Sequence, residues 1–161
     1  NALLAGGVLD IRGKIPADIP YITSSWLRAN RDSAAARFVG NDVYFANHHA
    51  ILERLWADPG VTWMVLVYGK NPNFILGFMC AEASDQGPVI HWVHVRPEFR
   101  RMGFARRMVE TFLQGQDGNR VWYTTSTASS RGALAAAGAN AAQPGAAGWE
   151  LNPYMLWRWV R

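Results

Sequence analysis

The chain has 161 residues, of which half are apolar and 17% are charged, and its formal net charge is +4 at pH 7. This balance excludes a disordered chain and predicts a single folded domain over residues 1–161. The only cysteine, Cys80, excludes an intramolecular disulfide, and we expect it to be a buried packing residue in a reducing cytoplasm. No stretch reaches the roughly 18 apolar residues of a membrane span, and the first residues do not resemble an export signal.

The first part of the chain predicts one strand and two helices. Residues 8–13 read as a short strand, and the apolar spacing after Asp18 predicts a helix that this residue caps. Residues 31–41 are small and polar, which predicts a loop. Asp42 is expected to cap a second helix that continues to about Trp56.

The rest of the chain alternates strands and helices. Turn-forming residues separate two apolar runs, which predicts a hairpin, and a helix between two later strands predicts a parallel crossover. We expect those parallel neighbours, 89–95 and 119–126, to part at their C-terminal ends beside Trp122 or Tyr123. The predicted strands are 61–68, 75–83, 89–95 and 119–126, followed by one or two strands in 149–160; the predicted helices are 104–114 and 129–138, and the predicted loop is 139–148.

An apolar strand runs directly into an arginine-rich turn that opens a helix. This segment, VHVRPEFRRMGFA at residues 93–105, carries Gly103 just before the helix. Amides at a helix start lack intrahelical partners and the helix dipole favours an anion there, so the turn predicts a phosphate-binding site. Gly103 lets a ligand approach the backbone. A solvated basic turn is the alternative, since the segment lacks the endings of a P-loop or a dinucleotide turn.

The amino-acid sequence of this turn resembles a family signature. RRMGFA at residues 100–105 resembles the Arg/Gln-x-x-Gly-x-Gly/Ala signature of the GCN5-related N-acetyltransferases (GNAT), and VHVRPEFR resembles the run that ends the family's fourth strand. The resemblance implies an α/β (α+β) fold with a mixed, mostly antiparallel central sheet flanked by helices. It also implies a splayed parallel strand pair that binds acetyl-CoA, and transfer of the acetyl group to a primary amine.

The same resemblance implies which residues hold acetyl-CoA. Backbone groups near Val93 and Val95 would pair with the pantetheine, and the turn would bind the pyrophosphate through its amides. No metal is expected, because the adjacent His48 and His49 diverge on a helix. The implied cofactor-binding residues are Val93, Val95, Arg100, Arg101, Met102, Gly103, Phe104, Ala105 and Ser129.

Two residues are catalytic candidates for removing the amine's proton. His91 falls where arylalkylamine N-acetyltransferases carry histidines that take part in this step, and an imidazole titrates near neutrality. Glu82, at the end of the adjacent strand, approaches the same place, but a carboxylate needs a raised pKa or a relaying water. Strand alternation predicts that His91 and His94 lie on opposite faces, with His94 against a helix. A hydrogen-bonded core histidine and a solvated strand end are the alternatives.

One departure from the family bears on the leaving group. The family often has a tyrosine in its last helix that protonates the departing thiolate, but the matching position, four residues before Gly138, is Leu134. A catalytically degenerate binding module of the same fold is therefore an alternative function. Other donors left open are Tyr123, Tyr154, Ser129 and Ser130.

The sequence does not identify the acceptor of the acetyl group. Residues 15–33 resemble the start of small transferases encoded by bacteriophages, which predicts a phage-encoded protein. We also expect a cytoplasmic monomer or homodimer without a membrane segment. A small amine, a protein or an amine-bearing modified DNA base would each serve as acceptor. A basic, tryptophan-rich chain suits nucleic acid, and a plain arginine-rich nucleic-acid-binding protein is the further alternative.

Overall fold

The computed structural model describes residues 9–34, 36–116, 120–127, 132 and 148–160. Short 3-10 turns follow β1, β4 and the last helix of these ranges. The strands are β1 (Leu9–Gly13), β2 (Val61–Tyr68), β3 (Asn71–Ser84), β4 (Gly87–Val95), β5 (Val121–Tyr123) and β6 (Trp149–Leu151); the helices are α1 (Ile19–Asn30), α2 (Asn41–Ala57), α3 (Phe104–Leu113) and α4 (Tyr154–Trp157).

The described strands form one sheet in the order of the sequence. The first three strands pair antiparallel with their successors, whereas β5 lies parallel to both β4 and β6. The hairpin predicted for β2 and β3 is confirmed, and so is the parallel pair of β4 and β5. The predicted mixed sheet flanked by helices is the observed architecture.

Helices cover both faces of the sheet. On one face, α1 and α2 place Trp26 and Leu55 against Phe78 and the buried thiol of Cys80, as predicted for that cysteine. On the other face, α3 buries an apolar stripe that includes Met108. Burying a side chain of this size contributes about 1.5–3 kcal/mol. The two layers hold β4, which lies between them, in a fixed position.

β4 and β5 pair over a short length only. The register joins Val89 to Trp122 and Ile90 to Tyr123, and the amide of Thr124 donates to the carbonyl of Ile90 at 3.1 Å. β4 then continues to residue 95, whereas the described β5 ends at residue 123. The predicted parting of the strands is confirmed, and the gap between residues 91–95 and 124–125 is called the fork below.

The prediction of one or two strands over 149–160 is wrong for most of that segment. Only β6 is a strand, and it is followed by α4 and a 3-10 turn. Pro153 stands just before the helix, where its fixed φ suits a helix start. Met155 and Leu156 are buried, so packing of one helix side outweighs the β-propensity of the aromatic residues.

Several predicted boundaries also move. α2 begins at Asn41 with Gly40 as its N-cap, so Asp42 lies in the first turn instead of capping it. Asp18 precedes α1, but its carboxylate binds Arg12 and the amide of Ile15 rather than capping that helix. β3 starts earlier than predicted, and β5 is shorter.

Two predicted elements fall almost entirely outside the described residues. The helix predicted over 129–138, apart from residue 132, and the loop predicted over 139–148, apart from residue 148, lie outside the described residues. The candidates Ser129 and Ser130 and the position Leu134 lie there too. The single domain over residues 1–161 stays a prediction.

Candidate active site

The arginine-rich turn leads from β4 into α3 through two left-handed residues. Arg101 has φ 62° and Gly103, the residue before α3, has φ 80°. The first i→i−4 bond of the helix is donated by Arg107 to the carbonyl of Gly103 at 2.9 Å. The amides of Phe104 and Ala105 therefore precede the first intrahelical donor, which is the arrangement that binds anions at helix starts.

Most side chains of this turn make contacts within the protein. Arg100 donates to the last carbonyl of β4 at 3.0 Å, and Arg106 pairs with the carboxylate one turn on at 2.6 Å. Met102, Phe104 and Ala105 pack against the core below α3. A ligand at the turn would therefore meet these residues mainly through their backbone.

The edge of β4 beside the fork exposes backbone groups of Val93 and Val95. The amide of Arg96 donates to the carbonyl of Leu76 on β3 at 2.8 Å. Alternation along an antiparallel pair then turns the N–H and C=O groups of Val93 and Val95 away from β3, toward the fork, where the carbonyl of Val95 already accepts from Arg100. Both valine side chains are buried, so an extended ligand with amide groups would pair with their main chain.

A bulge in β4 positions His91. In the register with β3, Trp92 faces Cys80 and Ile90 faces Ala81, so His91 is an extra residue without a partner. Bulges of this kind redirect a side chain and are frequent next to active sites. The bulge lies at the mouth of the fork, where β5 departs.

The bulge overturns one prediction from alternation. His94 lies against Tyr21 of α1, with 3.4 Å between the hydroxyl oxygen and Nε2, as expected for a histidine packed on a helix. His91 approaches Glu82, which lies on the same side of β3 as Phe78 and Cys80. The two histidines therefore share a face, because the bulge at His91 shifts the alternation of side chains by one position.

His91 stands between a hydroxyl and a carboxylate. Its Nδ1 lies 3.2 Å from the hydroxyl oxygen of Thr124, and its Nε2 lies 3.3 Å from Oε1 of Glu82. Burial lowers the pKa of His91, and Arg158 lowers it further, whereas Glu82 acts in the opposite direction. The imidazole is therefore neutral at pH 7, the state in which it can accept a proton.

The sequence did not predict three residues of this cluster. Arg158, which follows α4, donates to Oε1 of Glu82. Thr124 and Thr125 both direct their hydroxyls to the carbonyl of His91, at 3.3 Å and 3.2 Å. The sequence offered two signals for these residues: a pair of threonines just after a strand, and one arginine among the C-terminal tryptophans. Only the folded chain brings them to β4.

A cavity of about 900 Å³ opens on the face covered by α2 and α4. Thr124 and Thr125 form its inner wall, and Tyr154, Trp157 and Arg158 line it from the C-terminal segment. Trp122 and Tyr123, the residues expected beside the cleft, do not line this cavity. The cavity therefore reaches the fork from one face of the sheet, whereas α3 and its preceding turn lie on the other.

Other predicted candidates fall in different places. Tyr154 lines the cavity, whereas Tyr123 packs against the core beneath α3. His48 accepts a hydrogen bond from Trp26 at 3.1 Å, and the described residues hold no group of three potential metal ligands. Among the helices of the described ranges, none is long and apolar enough to cross a membrane.

Solved structures with the same architecture include several acetyltransferases. The aminoglycoside antibiotic 6'-N-acetyltransferase AAC(6')-Ih from Acinetobacter baumannii is 13% identical, with a TM-score of 0.54 over 84% of this chain and 93% of its own. YycN from Bacillus subtilis is 10% identical, with a TM-score of 0.52 over 67% of this chain and 73% of its own. At such identities the likeness concerns the fold.

A third structure and the sequence comparisons complete these findings. YjaB from Escherichia coli is 21% identical, with a TM-score of 0.46 over 67% of this chain, and the chain spans 66% of YjaB. Among curated proteins no sequence matched. The model of the acetyltransferase (GNAT) family matches residues 25–137, well over half of the chain. The chain therefore belongs to the GNAT acetyltransferase family.

Proposed function

We propose that the protein is an acetyl-CoA-dependent N-acetyltransferase that acts on a primary amine. The observation that carries the proposal is the fork, which adjoins the start of α3 at one end and the cavity at the other. Acetyl-CoA, when bound, supplies the acetyl thioester. The residues present fit such a ligand, because anion-binding amides and an unpaired strand edge occur in the order that pyrophosphate and pantetheine require.

The cofactor-binding assignments follow from these backbone groups. Gly103 and the amides at the start of α3 would bind the pyrophosphate, and the main chain of Val93 and Val95 would pair with the amides of the pantetheine. Arg100 and Arg101 would add positive charge near the phosphates. Ser129 stays a prediction from the family resemblance.

His91 is proposed to take up the amine's proton through Thr124. Thr124 lines the cavity and its hydroxyl lies beside Nδ1 of His91, so the hydroxyl can receive a proton from the amine while passing its own to the ring. This transfer requires Nδ1 to be unprotonated, and the Thr124 hydroxyl to donate to Nδ1 rather than to the His91 carbonyl, which lies 3.3 Å away. The single N–H of the neutral ring then sits on Nε2 and faces Glu82, whose carboxylate stabilises the imidazolium that forms when Nδ1 accepts the second proton.

Glu82 is proposed to orient His91 rather than to receive the proton first. The carboxylate is 5% exposed and is bound by Arg158, and both features separate it from an incoming amine. Arg158 also contacts Oε1, the same carboxylate oxygen that faces Nε2 of His91. Arg158 would thus hold Glu82 in place behind the imidazole.

Acetyl transfer is tested by incubating the protein with acetyl-CoA and a mixture of primary amines. Thiol release measured together with mass spectrometry of the amines separates transfer from simple hydrolysis. The proposal expects an acetylated amine and calorimetric binding of CoA. Binding of CoA without any acetylated amine would support the degenerate binding module instead, and salt-sensitive binding of DNA without CoA binding would support the nucleic-acid-binding alternative.

The acceptor and the cellular setting are separate questions. A bacteriophage origin, a cytoplasmic location and a monomeric or dimeric state stay predictions from the sequence. A modified DNA base as acceptor also stays a prediction, supported only by the basic, tryptophan-rich composition.

A further inference from the structure

The cavity beside the fork has a mainly apolar wall with aromatic residues at its mouth. Tyr154 and Trp157 line it with edge-to-face rings, whose centroids are 5.3 Å apart, although 73% of Tyr154 and 45% of Trp157 are exposed. Aromatic side chains that stay in water beside a cavity are typical of a binding surface. Their position favours a ligand with an apolar or aromatic body.

The polar groups of the wall are mostly neutral at pH 7. Burial lowers the pKa of His48 to about 4 and raises the pKa of Tyr44 to about 12, so both stay uncharged. The hydroxyl of Tyr44 donates to the carbonyl of Leu27, and Nδ1 of His48 accepts from Trp26, which leaves the His48 Nε2 position as an N–H donor.

Carboxylates are missing from the described wall. Its one charged residue is Arg158, whose positive charge is paired with Glu82 behind it. Across all the residues that the structure does not describe, the sequence contains a single carboxylate side chain, Asp117. A ligand with several ammonium groups would therefore bury charges without partners, which is strongly unfavourable.

We propose that the acceptor is a monoamine whose reacting nitrogen is its only cationic group and whose body is aromatic or aliphatic. This inference rests on the proposed acetyl transfer. The amine must be neutral to react, and a cavity with no carboxylate in its described wall favours that neutral form. The aromatic pair at the mouth would cover the apolar body while the nitrogen reaches Thr124.

The proposal is tested with 2-phenylethylamine, spermidine and kanamycin as probes. Acetylation should be at least about 10-fold more efficient in kcat/KM for 2-phenylethylamine than for either polycation, since an unpaired buried charge costs more than 1.4 kcal/mol. Calorimetry of each probe with the protein, with and without CoA, provides a measure that does not depend on turnover.

A charge-gain variant sharpens the test. Asn47 lines the cavity, so Asn47→Asp should narrow the preference by roughly 10-fold in favour of spermidine, because a carboxylate then faces the second ammonium group. The matched control is Asn73→Asp, which adds the same charge at an exposed site on β3 and should leave the preference unchanged.

The possible outcomes separate the two proposals. Failure of the protein to bind CoA would count against the acetyltransferase itself. Binding of CoA with a preference for spermidine or kanamycin, or with no binding of 2-phenylethylamine, would overturn the monoamine assignment and leave the transferase intact. An equal response of Asn47→Asp and Asn73→Asp would show that overall charge, not the cavity, sets the preference, and would also overturn it.

Discussion

Two glycines at the ends of α3 allow the pyrophosphate site to be tested against an internal control. Gly103 precedes the helix with φ 80° and Gly115 follows it with φ 83°, and a Cβ added at either position would meet no heavy atom within 4 Å. Alanine at each site therefore carries the same left-handed strain, about 1–2 kcal/mol of stability. Only at Gly103 would the added methyl group stand where the pyrophosphate must approach.

We expect Gly103→Ala to weaken CoA binding by about 10- to 100-fold. The methyl group would displace the phosphate from one amide, and a hydrogen bond to a charged group contributes about 1.5–3 kcal/mol. Gly115→Ala should bind CoA within a factor of about two of the unmodified chain, because the strain it introduces lies at the far end of α3.

Isothermal calorimetry of CoA with both variants, beside thermal melting curves, separates the two effects. Similar melting temperatures would confirm that the strain is matched. If Gly103→Ala binds CoA as well as Gly115→Ala does, the turn before α3 does not hold the pyrophosphate and the backbone reasoning fails.

Three further predictions concern protons. His91→Ala should lower turnover by roughly 10²–10⁴-fold with CoA affinity intact, and an unchanged rate would remove His91 from the mechanism. The acid limb of the unmodified enzyme's pH–rate profile should lie below pH 6.5, because burial lowers the pKa of His91. Thr124→Val should lower turnover by about 10- to 100-fold, and more than Thr125→Val, whose hydroxyl contacts the His91 carbonyl instead of the ring; equal losses would reject the relay. The pKa of His48 is about 4 in the folded chain and near 6.5 when the chain is unfolded. The free energy of unfolding that the neutral His48 contributes is therefore complete above pH 6.5 and is lost as the pH falls toward 4, by up to about 3 kcal/mol. Urea unfolding of His48→Asn should be less sensitive to pH over that range.

The sequence predicted the parts of the fold that local patterns control. The β2–β3 hairpin, the crossover from β4 through α3 to β5, and the glycine-containing turn at 100–103 all follow from apolar runs and turn residues that are close in the chain. The C-terminal segment was misread because its aromatic residues favour strands. Burial of Met155 and Leu156, which is a tertiary effect, makes α4 a helix.

The candidate site was only partly accessible to the same reasoning. His91 and Glu82 were named from their strands, but the bulge that turns His91 toward Glu82 depends on the register of two strands and leaves no mark in the sequence. Arg158 lies 76 residues from Glu82 along the chain. Its contact with Glu82 depends on the packing of α4 over the sheet, which no local sequence pattern predicts.

The most direct test of the account is a crystal structure of the protein with CoA. We predict that the pyrophosphate lies on the amides at Gly103 and the start of α3, and that the pantetheine pairs with the main chain of Val93 and Val95. The thiol should end at the fork, facing Thr124 and the cavity. A CoA molecule bound elsewhere, or a β4 edge left unpaired in the complex, would contradict the account.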